Sequence, residues 1–397
     1  MRLLIATVAR GAVGGVESYL RGIAPGLRAR GHRLALACEH RYEPAPASPD
    51  PYAGNDAEWC VEEIGVAATL AAARAWAPDL VWIHGLESPA LEAGVLELAP
   101  ALLFAHNYDG TCATGAKFHR WPQPRACDRR MGWSCAPINF TRHCGRLRPA
   151  GFAAQWRRQR QRARQLARYR RVIVASRHME QEYLRQGVLP ERLLRLAYPR
   201  LGPPPLAPQP RPAPPARVLM LARLTVAKGG ESLLRACAAA ESRLGRRLHI
   251  TIAGDGPERP RLQALARTLG LDADFPGWVD PAARQRLLAD ADLMAVPSLW
   301  PEPFAMVGIE GFAVGIPAVA YAVGGIGDWL RPGLNGELAS GAPPTVAGLT
   351  AALLRALGNP ERWERLRQGA FASAPDYELG PYLDRLDTVL AAACHGE

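Results

Sequence analysis

The sequence predicts an α/β protein of two domains, each built on a doubly wound parallel sheet. Its 397 residues exceed what one hydrophobic core normally serves. In both halves, continuous apolar runs that are typical of strands covered on both faces alternate with segments of helical periodicity. Between the halves, nine of the seventeen residues from Pro199 to Pro215 are proline, which favours an extended linker.

The first half opens with the pattern of a strand, a helix and a second strand. Leu3–Val8 is a continuous apolar run, and Gly11–Gly15 is rich enough in glycine to turn the chain. Val16–Ala29 then carries apolar residues at helical spacing, and a second apolar run follows at Leu34–Cys38. This order predicts a βαβ unit at the start of the chain.

Further apolar runs extend this first domain, which we assign to residues 1–198. They predict strands at 80–83, 101–105 and 171–175. Residues 107–150 lie between the last two strands and lack sustained periodicity, and so long an irregular segment is usually functional or mobile. Trp121 and Trp133 have faces suited to stacking on sugars or other flat acceptors, so we expect the part from Cys112 to Cys144 to govern acceptor choice.

The alternation of strand and helix restarts after the proline-rich linker at 199–216. Apolar runs predict strands at 218–222, 248–253 and 292–296, with helices after Lys228 and from about Pro257. We assign residues 217–375 to a C-terminal domain. Residues 376–397 form a C-terminal segment that can return to the first domain.

The net charge of +11 and the isoelectric point near 9.6 are compatible with nucleic-acid or membrane-surface binding. However, Lys117 and Lys228 are the only lysines among 48 basic residues, which indicates a compositional preference for arginine. We therefore predict no nucleic-acid partner. Trp156–Arg171 contains eight arginines, and both a solvated helix and peripheral membrane contact stay open for this segment.

The segment that follows Met1 is too short an apolar run for a signal peptide, and no stretch approaches the ~20 apolar residues that cross a bilayer. We expect a cytoplasmic protein, with any membrane contact peripheral, at the inner membrane. Four of the eight cysteines lie between Cys112 and Cys144, and none forms a CxxC pair. Reduced thiols are the simplest interpretation, while a zinc site or disulfides in this loop stay open.

Two cations follow the first predicted strand of the second half. Arg223 lies just beyond the strand, and Lys228 precedes Gly229 and Gly230 at the start of a predicted helix. Doubly wound sheets bind phosphate at this edge because helix N-termini favour anions. Arginine can hold two phosphate oxygens and lysine adds a mobile point charge, so the pair is suited to stabilise a departing diphosphate.

Two carboxylates lie eight residues apart in the second half. Glu302 lies within Trp300–Phe304, and we expect it at the mouth of a helix with Glu310 two turns inside, both facing one cleft. Glu310 lies among apolar residues, a costly place for an unpaired charge. Carboxylates accept hydrogen bonds from vicinal hydroxyls, which suits one of them to a sugar and the other to a ribose.

These motifs, together with the turn Gly254-Asp255-Gly256-Pro257, resemble family 4 of the GT-B glycosyltransferases, the retaining glycosyl transferases of group 1. The resemblance covers the second half to about residue 372 and reaches the first half through Gly14–Glu17 and Val174–Ser176. It implies two Rossmann-like domains that face a central cleft. It also implies that Arg223 and Lys228 hold the diphosphate of a nucleotide-sugar donor.

The same resemblance implies roles for the other candidate residues. Glu302 contacts the donor sugar, Glu310 binds the ribose, and His106 lies near the sugar. The remaining substrate-binding residues that it implies are Gly14, Gly15, Gly254, Phe304, Gly324 and Gly325. The chain departs from the family pattern after the last two glycines, where Ile326-Gly327-Asp328 replaces the usual glutamate, and Asp328 is left out of the site.

The predicted activity is retaining transfer of a sugar from a nucleotide sugar, UDP- or GDP-linked, to an acceptor that the sequence does not identify: a glycan, a lipid or a small molecule. Since Arg223 and Lys228 supply positive charge and no Asp-x-Asp element lies nearby, we expect no metal and no cofactor. Two alternatives stay open. One is an epimerase or hydrolase of nucleotide sugars on the same fold, and the other is a non-catalytic anion-binding protein.

Overall fold

The computed structural model describes residues 1–11, 14–42, 52, 54–202 and 214–395. Contacts within the chain divide it into two compact units. Unit 1 comprises Met1–Lys117, Asp128–Leu201 and Leu379–Glu397, and unit 2 comprises Phe118–Cys127 and Gly202–Glu378. Part of the predicted glycine-rich turn, residues 12–13, and most of the predicted linker, 203–213, lie outside the described residues.

Unit 1 contains a seven-stranded parallel sheet. The first nine strands of the chain are β1 (Arg2–Arg10), β2 (Arg33–Arg41), β3 (Ala57–Cys60), β4 (Leu80–Ile83), β5 (Ala101–Ala105), β6 (Phe118–His119), β7 (Arg125–Ala126), β8 (Arg171–Val174) and β9 (Leu193–Arg195). The sheet runs β3-β2-β1-β4-β5-β8-β9, and β6 and β7 form a separate antiparallel hairpin. Every residue from Leu3 to Ala6 is fully buried, as expected for a strand covered on both faces.

The described residues before the second sheet form six helices: α1 (Gly15–Ala29), α2 (Val61–Trp76), α3 (Pro89–Val95), α4 (Cys135–Arg142), α5 (Pro149–Gln165) and α6 (Arg177–Gln186). The predicted helix Val16–Ala29 is confirmed as α1. The predicted arginine-rich helix at 156–171 is wrong at both ends. Pro149 begins α5, where proline costs no hydrogen bond, and after Gln165 a short 3₁₀ turn leads to Tyr169 in extended geometry.

Unit 2 contains a six-stranded parallel sheet of β10 (Arg217–Leu221), β11 (His249–Ala253), β12 (Asp272–Gly277), β13 (Leu293–Val296), β14 (Ala318–Tyr321) and β15 (Gly336–Ala339). The strand order is β12-β11-β10-β13-β14-β15. Its helices are α7 (Gly230–Leu244), α8 (Arg259–Thr268), α9 (Pro281–Asp290), α10 (Met306–Glu310), α11 (Val346–Leu357) and α12 (Pro360–Ser373). In both units the order of strands reverses direction next to the first strand, which is the doubly wound topology that the sequence predicts.

The last helix, α13 (Leu379–His395), belongs to unit 1 and packs against α1. Leu383 of α13 reaches Gly26, where an added Cβ would lie 2.3 Å from a leucine methyl group. His32 and Asp387 are hydrogen-bonded across the same contact at 3.0 Å. The chain therefore enters unit 2 and returns to unit 1 at its end. No helix of the described ranges combines the length and the apolar character needed to span a bilayer.

Candidate functional site

Lys228 lies at the N-terminal end of α7, at the carboxyl edge of the unit 2 sheet. A 3₁₀ turn, Val226–Lys228, brings the chain from β10 to Gly229, whose φ of +72° suits glycine. A Cβ at Gly229 would lie 1.8 Å from the Pro297 carbonyl oxygen, so this loop packs directly on the one that follows β13. Gly229 is the N-cap of α7 and offers no side chain to the first amides of the helix, which have no acceptor within the helix itself.

Glu302 is a buried acidic residue at the carboxyl edge of the unit 2 sheet. Its side chain is 6% exposed, and its Oε1 accepts hydrogen bonds from Lys228 Nζ at 2.6 Å and from Ser298 Oγ at 2.5 Å. Lys228 Nζ also lies 5.4 Å from the ring centroid of Trp300. Lysine, carboxylate and hydroxyl thus form one hydrogen-bonded group, with the ammonium partly open to solvent. Lys228 and Glu302 meet because two adjacent strands, β10 and β13, end at one edge of the sheet.

Gly324 and Gly325 hold the backbone of Glu302. The Gly325 amide donates to the Glu302 carbonyl at 2.7 Å. Gly324 has a φ of +58°, and a Cβ there would lie 2.2 Å from the Glu302 carbonyl oxygen and 2.5 Å from its amide nitrogen. The two glycines therefore position the carboxylate-bearing loop by close backbone contact, a function that no larger residue can fulfil without moving that loop.

The predicted turn at Gly254 interlocks with the loop that bears Arg223. Gly254 has a φ of +132°, and an added Cβ would lie 1.9 Å from the Ala222 carbonyl oxygen. The Leu224 amide donates to the Asp255 carbonyl at 2.8 Å. Arg223 lies exposed between these contacts. Gly254 and Asp255 thus contact the backbone on either side of Arg223.

The predicted helical placement of Glu302 and Glu310 is wrong. The helix α10 begins only at Met306, so Glu302 lies in the loop before it and Glu310 is its last residue. Pro303 disfavours helical geometry at Glu302, and Ala305, the N-cap of α10, has a left-handed φ of +68°. Glu310 is also not left unpaired among its apolar neighbours. Its side chain is 11% exposed and forms an ion pair with Arg284 of α9.

Phe304 packs into the core of unit 2. The residue is 1% exposed, and its ring meets Tyr377 edge-on at 6.1 Å. Its carbonyl accepts a hydrogen bond from the Trp329 indole at 2.5 Å. The structure gives Phe304 a packing role, and its contact with the substrate stays a prediction.

The candidate residues of unit 1 lie at the carboxyl edge of the other sheet. Gly14 is the N-cap of α1, in extended geometry, and Gly15 is the first helical residue. His106 follows β5 directly, and His84 follows the neighbouring strand β4. Parallel strands end at one edge, which brings the two imidazoles together: His84 Nδ1 and His106 Nε2 are hydrogen-bonded at 2.8 Å.

Both ring nitrogens of His106 are engaged inside unit 1. Its Nδ1 is hydrogen-bonded to the Tyr198 hydroxyl, and Phe104 stacks on its ring at 4.6 Å. Burial lowers the pKa of His106 to about 3 and lowers the pKa of His84 well below its usual value, with His106 as a second cause. Both imidazoles are therefore neutral. Contact between His106 and a substrate would require one of these two hydrogen bonds to break.

We expect the stability of unit 1 to fall as the pH falls below about 6.5, the ordinary pKa of histidine. Below this pH the histidines are protonated in the unfolded chain but stay neutral in the folded chain. The free energy of unfolding therefore decreases by up to about 1.4 kcal/mol per pH unit for each histidine. This loss continues down to about pH 3, where His106 itself is protonated. Denaturant unfolding at pH 7, 6 and 5 measures it.

Replacement of His106 by asparagine removes the proton that this histidine binds when the chain unfolds at low pH. The variant should be less stable than wild type at pH 7 and should lose stability less steeply between pH 7 and pH 5. If the variant and the wild type show the same slope over this range, the neutral buried state of His106 is contradicted.

The cysteine-containing segment is held by polar contacts within unit 1. Lys117, one of the two lysines, is buried, forms an ion pair with Glu182 of α6, and donates to the Arg129 carbonyl at 2.5 Å. The Cys112 sulfur accepts the Lys117 amide at 3.4 Å. The cysteines form no disulfide among the described residues, which also contain no group of three or more metal-ligating side chains. Lys117 therefore anchors this segment to α6.

Several residues that lie at the carboxyl edges of the two sheets, or that bond to residues there, were not predicted from the sequence. His84 carried a usable signal, because it follows a predicted strand just as His106 does. Ser298 and Trp300 also follow a predicted strand, β13. Arg284 carried no local signal, since its partner Glu310 lies on another element. Tyr19 of α1 and Tyr382 of α13, whose hydroxyls are hydrogen-bonded, lie 363 residues apart and could not be paired from the sequence.

Two family models match the chain. Residues 207–372 match the model described as Glycosyl transferases group 1, and residues 13–198 match Glycosyltransferase Family 4. Among solved structures, Anabaena HepE in complex with UDP and glucose superposes with a TM-score of 0.70 at 17% identity, covering 98% of this chain and 99% of that chain. Sucrose-phosphate synthase from Thermosynechococcus elongatus gives 0.69 at 19% identity, covering 99% and 100%.

Curated relatives match over a shorter span. D-inositol 3-phosphate glycosyltransferase of Thermomonospora curvata is 37% identical over 188 residues, which are 44% of this chain and 42% of that protein. Glycogen synthase of Mycobacterium tuberculosis is 36% identical over 162 residues, 39% of this chain and 37% of that protein. The matched part of the chain thus spans less than half the length of each of these relatives.

The two doubly wound units and the structural likeness define a GT-B fold, the class of the glycosyltransferases that it resembles. Within that class, the two family models together cover most of the chain. The protein belongs to family 4 of the GT-B glycosyltransferases, and the family predicted from Arg223, Lys228, Glu302 and Glu310 is confirmed.

Proposed function

We propose that the chain transfers a sugar from a nucleoside diphosphate sugar to an acceptor with retention of the anomeric configuration, and that unit 2 binds the donor. The observation that carries this proposal is the group of Lys228, Glu302 and Ser298 at the N-terminus of α7. A cation and free helix amides suit a diphosphate, and a buried carboxylate beside them suits a sugar hydroxyl. The solved relative HepE was crystallised with UDP and with glucose, which supports this class of donor.

Lys228 and Arg223 neutralise the diphosphate as the bond between the anomeric carbon and phosphate breaks. Lys228 Nζ lies 2.6 Å from a carboxylate oxygen of Glu302, which holds the ammonium in position. Pre-positioned charge costs no reorganisation during the reaction, and one such donor commonly accounts for 10²- to 10³-fold in rate. Glu310, fixed by Arg284, accepts hydrogen bonds from the ribose hydroxyls.

The acceptor attacks the face of the sugar from which the diphosphate leaves, and a phosphate oxygen takes the acceptor proton. No protein general base is assigned. Because Arg223 and Lys228 provide the positive charge, we propose that turnover needs no divalent metal. The roles of Gly14, Gly15 and His106, like the cytoplasmic location, stay predictions; cysteines without a disulfide in the described residues are compatible with a reducing compartment.

A product assay tests the proposed reaction. UDP- and GDP-linked sugars are incubated with the enzyme and a panel of glycan, lipid-linked and small-molecule acceptors in excess chelator, and proton NMR reads the anomeric configuration of the product. We expect one donor class to yield a glycoside with the configuration of the donor. An inverted product contradicts retention, and isomerised or hydrolysed donor that forms equally without acceptor assigns the chain to the epimerase or hydrolase alternative.

A further inference from the structure

The positive charge of the chain is concentrated in one part of unit 1. Residues 128–171 contain thirteen arginines and a single acidic residue, Asp128, a net charge of +12, whereas the whole chain carries +11. The remainder of the protein is therefore close to neutral. A general preference for arginine over lysine explains the choice of cation and does not explain this clustering.

Helix α5 displays part of this charge on one face. Arg157, Arg160 and Arg164 are exposed, and their spacing of three and four residues places them on the same side of the helix. Phe152 and Trp156 of the same helix are buried. None of the three arginines forms an ion pair with any residue that the structure describes. The stripe is therefore an uncompensated array of guanidinium groups.

Exposed aromatic rings lie beside this stripe. Trp133 is 79% exposed, its ring lies 5.6 Å from Trp156, and the Arg160 guanidinium lies 5.4 Å from its centroid. Phe140 of α4 is also exposed and meets Phe152 edge-on at 5.6 Å. A helix that is simply solvated has no need of two large aromatic side chains exposed at its flanks.

We propose that the face formed by Trp133, Phe140, Arg157, Arg160 and Arg164 docks on a bilayer that contains anionic lipids. Guanidinium groups bind lipid phosphates, while aromatic rings settle at the level of the headgroups, where one side is apolar and the other wet. The charge and the rings are thus complementary to the same surface. A nucleic acid would also attract the arginines, and comparing vesicle flotation with binding of a DNA duplex distinguishes a nucleic acid from a bilayer.

Vesicle flotation of the full-length protein tests the docking face. Wild type should float with vesicles of phosphatidylcholine and phosphatidylglycerol and stay behind with pure phosphatidylcholine. The triple variant Arg157→Gln, Arg160→Gln, Arg164→Gln should lose about 100-fold in partitioning, since each basic residue near an anionic surface contributes roughly five-fold. The matched control is Arg267→Gln, Arg286→Gln, Arg365→Gln, which removes three exposed, unpaired arginines from unit 2 and should float like wild type.

A second variant separates the rings from the charge. Trp133→Ala should weaken flotation several-fold, and this deficit should persist at high salt, because burial of a ring is not screened. Equal losses in the two triple variants, or no flotation of wild type, overturn the proposal. So does binding of a DNA duplex that depends on the three α5 arginines when vesicles are not bound. Flotation requires no sugar donor, so its failure leaves the proposed reaction untouched.

Discussion

Replacement of Lys228 by alanine should lower kcat/KM for the donor by about 10³-fold, the largest effect on activity that we expect from one side chain. Lys228 brings a cation to the N-terminus of α7. Arg223, which is exposed in the same loop, cannot restore a charge at that point. Steady-state kinetics with the cognate donor and acceptor measure the loss. The matched control, Arg365→Ala, removes an exposed cation from α12 of the same unit and should keep wild-type kinetics.

The same variant should also lose about 1–3 kcal/mol of stability, because Glu302 stays buried without its cation. The double variant Lys228→Ala, Glu302→Gln removes that carboxylate charge. It should recover most of the lost melting temperature while staying inactive, which shows that the kinetic loss is not a folding defect. A Lys228→Ala enzyme with wild-type kcat/KM would refute the assigned phosphate position.

Gly324→Ala should destabilise unit 2 by about 2 kcal/mol or more and lower activity on the order of 10²-fold. The added Cβ would lie 2.2 Å from the Glu302 carbonyl oxygen at a φ of +58°, and all three of the nearest atoms belong to backbone. The loop that carries Glu302 must therefore move, and catalytic groups misplaced by about 1 Å commonly cost two orders of magnitude. Denaturant unfolding and steady-state kinetics measure the two effects.

Gly327→Ala is the matched control for this substitution. Gly327 lies in the same 3₁₀ segment, Gly324–Asp328, but an added Cβ there meets nothing within 4 Å. Its stability should stay within about 0.5 kcal/mol of wild type. If Gly324→Ala behaves as Gly327→Ala does, the close backbone contact does not position Glu302.

Much of the fold was predictable because its central strands are buried on both faces. Such strands as β1 and β4 read as continuous apolar runs, and the glycines between strand and helix mark the turns. The edge strand β12 has no such run, since Asp272 and Asp274 are exposed and Pro276 interrupts it. The three-residue strand β9 is too short to carry a pattern.

The site was predictable where its residues follow strands of one sheet. Parallel strands end at a common edge, so Lys228 after β10 and Glu302 after β13 had to approach each other. The helical spacing inferred for Glu302 and Glu310 failed because α10 begins only at Met306, after Pro303 and the left-handed N-cap Ala305. Spacing alone does not reveal whether a helix has begun.

Partners that depend on tertiary packing could not be predicted. The ion pair of Glu310 with Arg284 joins two elements whose relative position no local pattern reports. The same holds for the neutral state of His106, which results from burial beside His84 and Tyr198. Local sequence indicates which side chains are polar, while packing decides their protonation and their partners.

The donor-binding assignment is tested most directly by calorimetric titration of nucleoside diphosphates into the enzyme. UDP, GDP and ADP are titrated in excess chelator into wild type, Lys228→Ala and Arg365→Ala. We expect wild type and Arg365→Ala to bind one of UDP and GDP equally well, and Lys228→Ala to bind it at least ten-fold more weakly, about 1.4 kcal/mol. Equal affinity of Lys228→Ala, or binding that appears only when a divalent metal is restored, would contradict a metal-free diphosphate site at the N-terminus of α7.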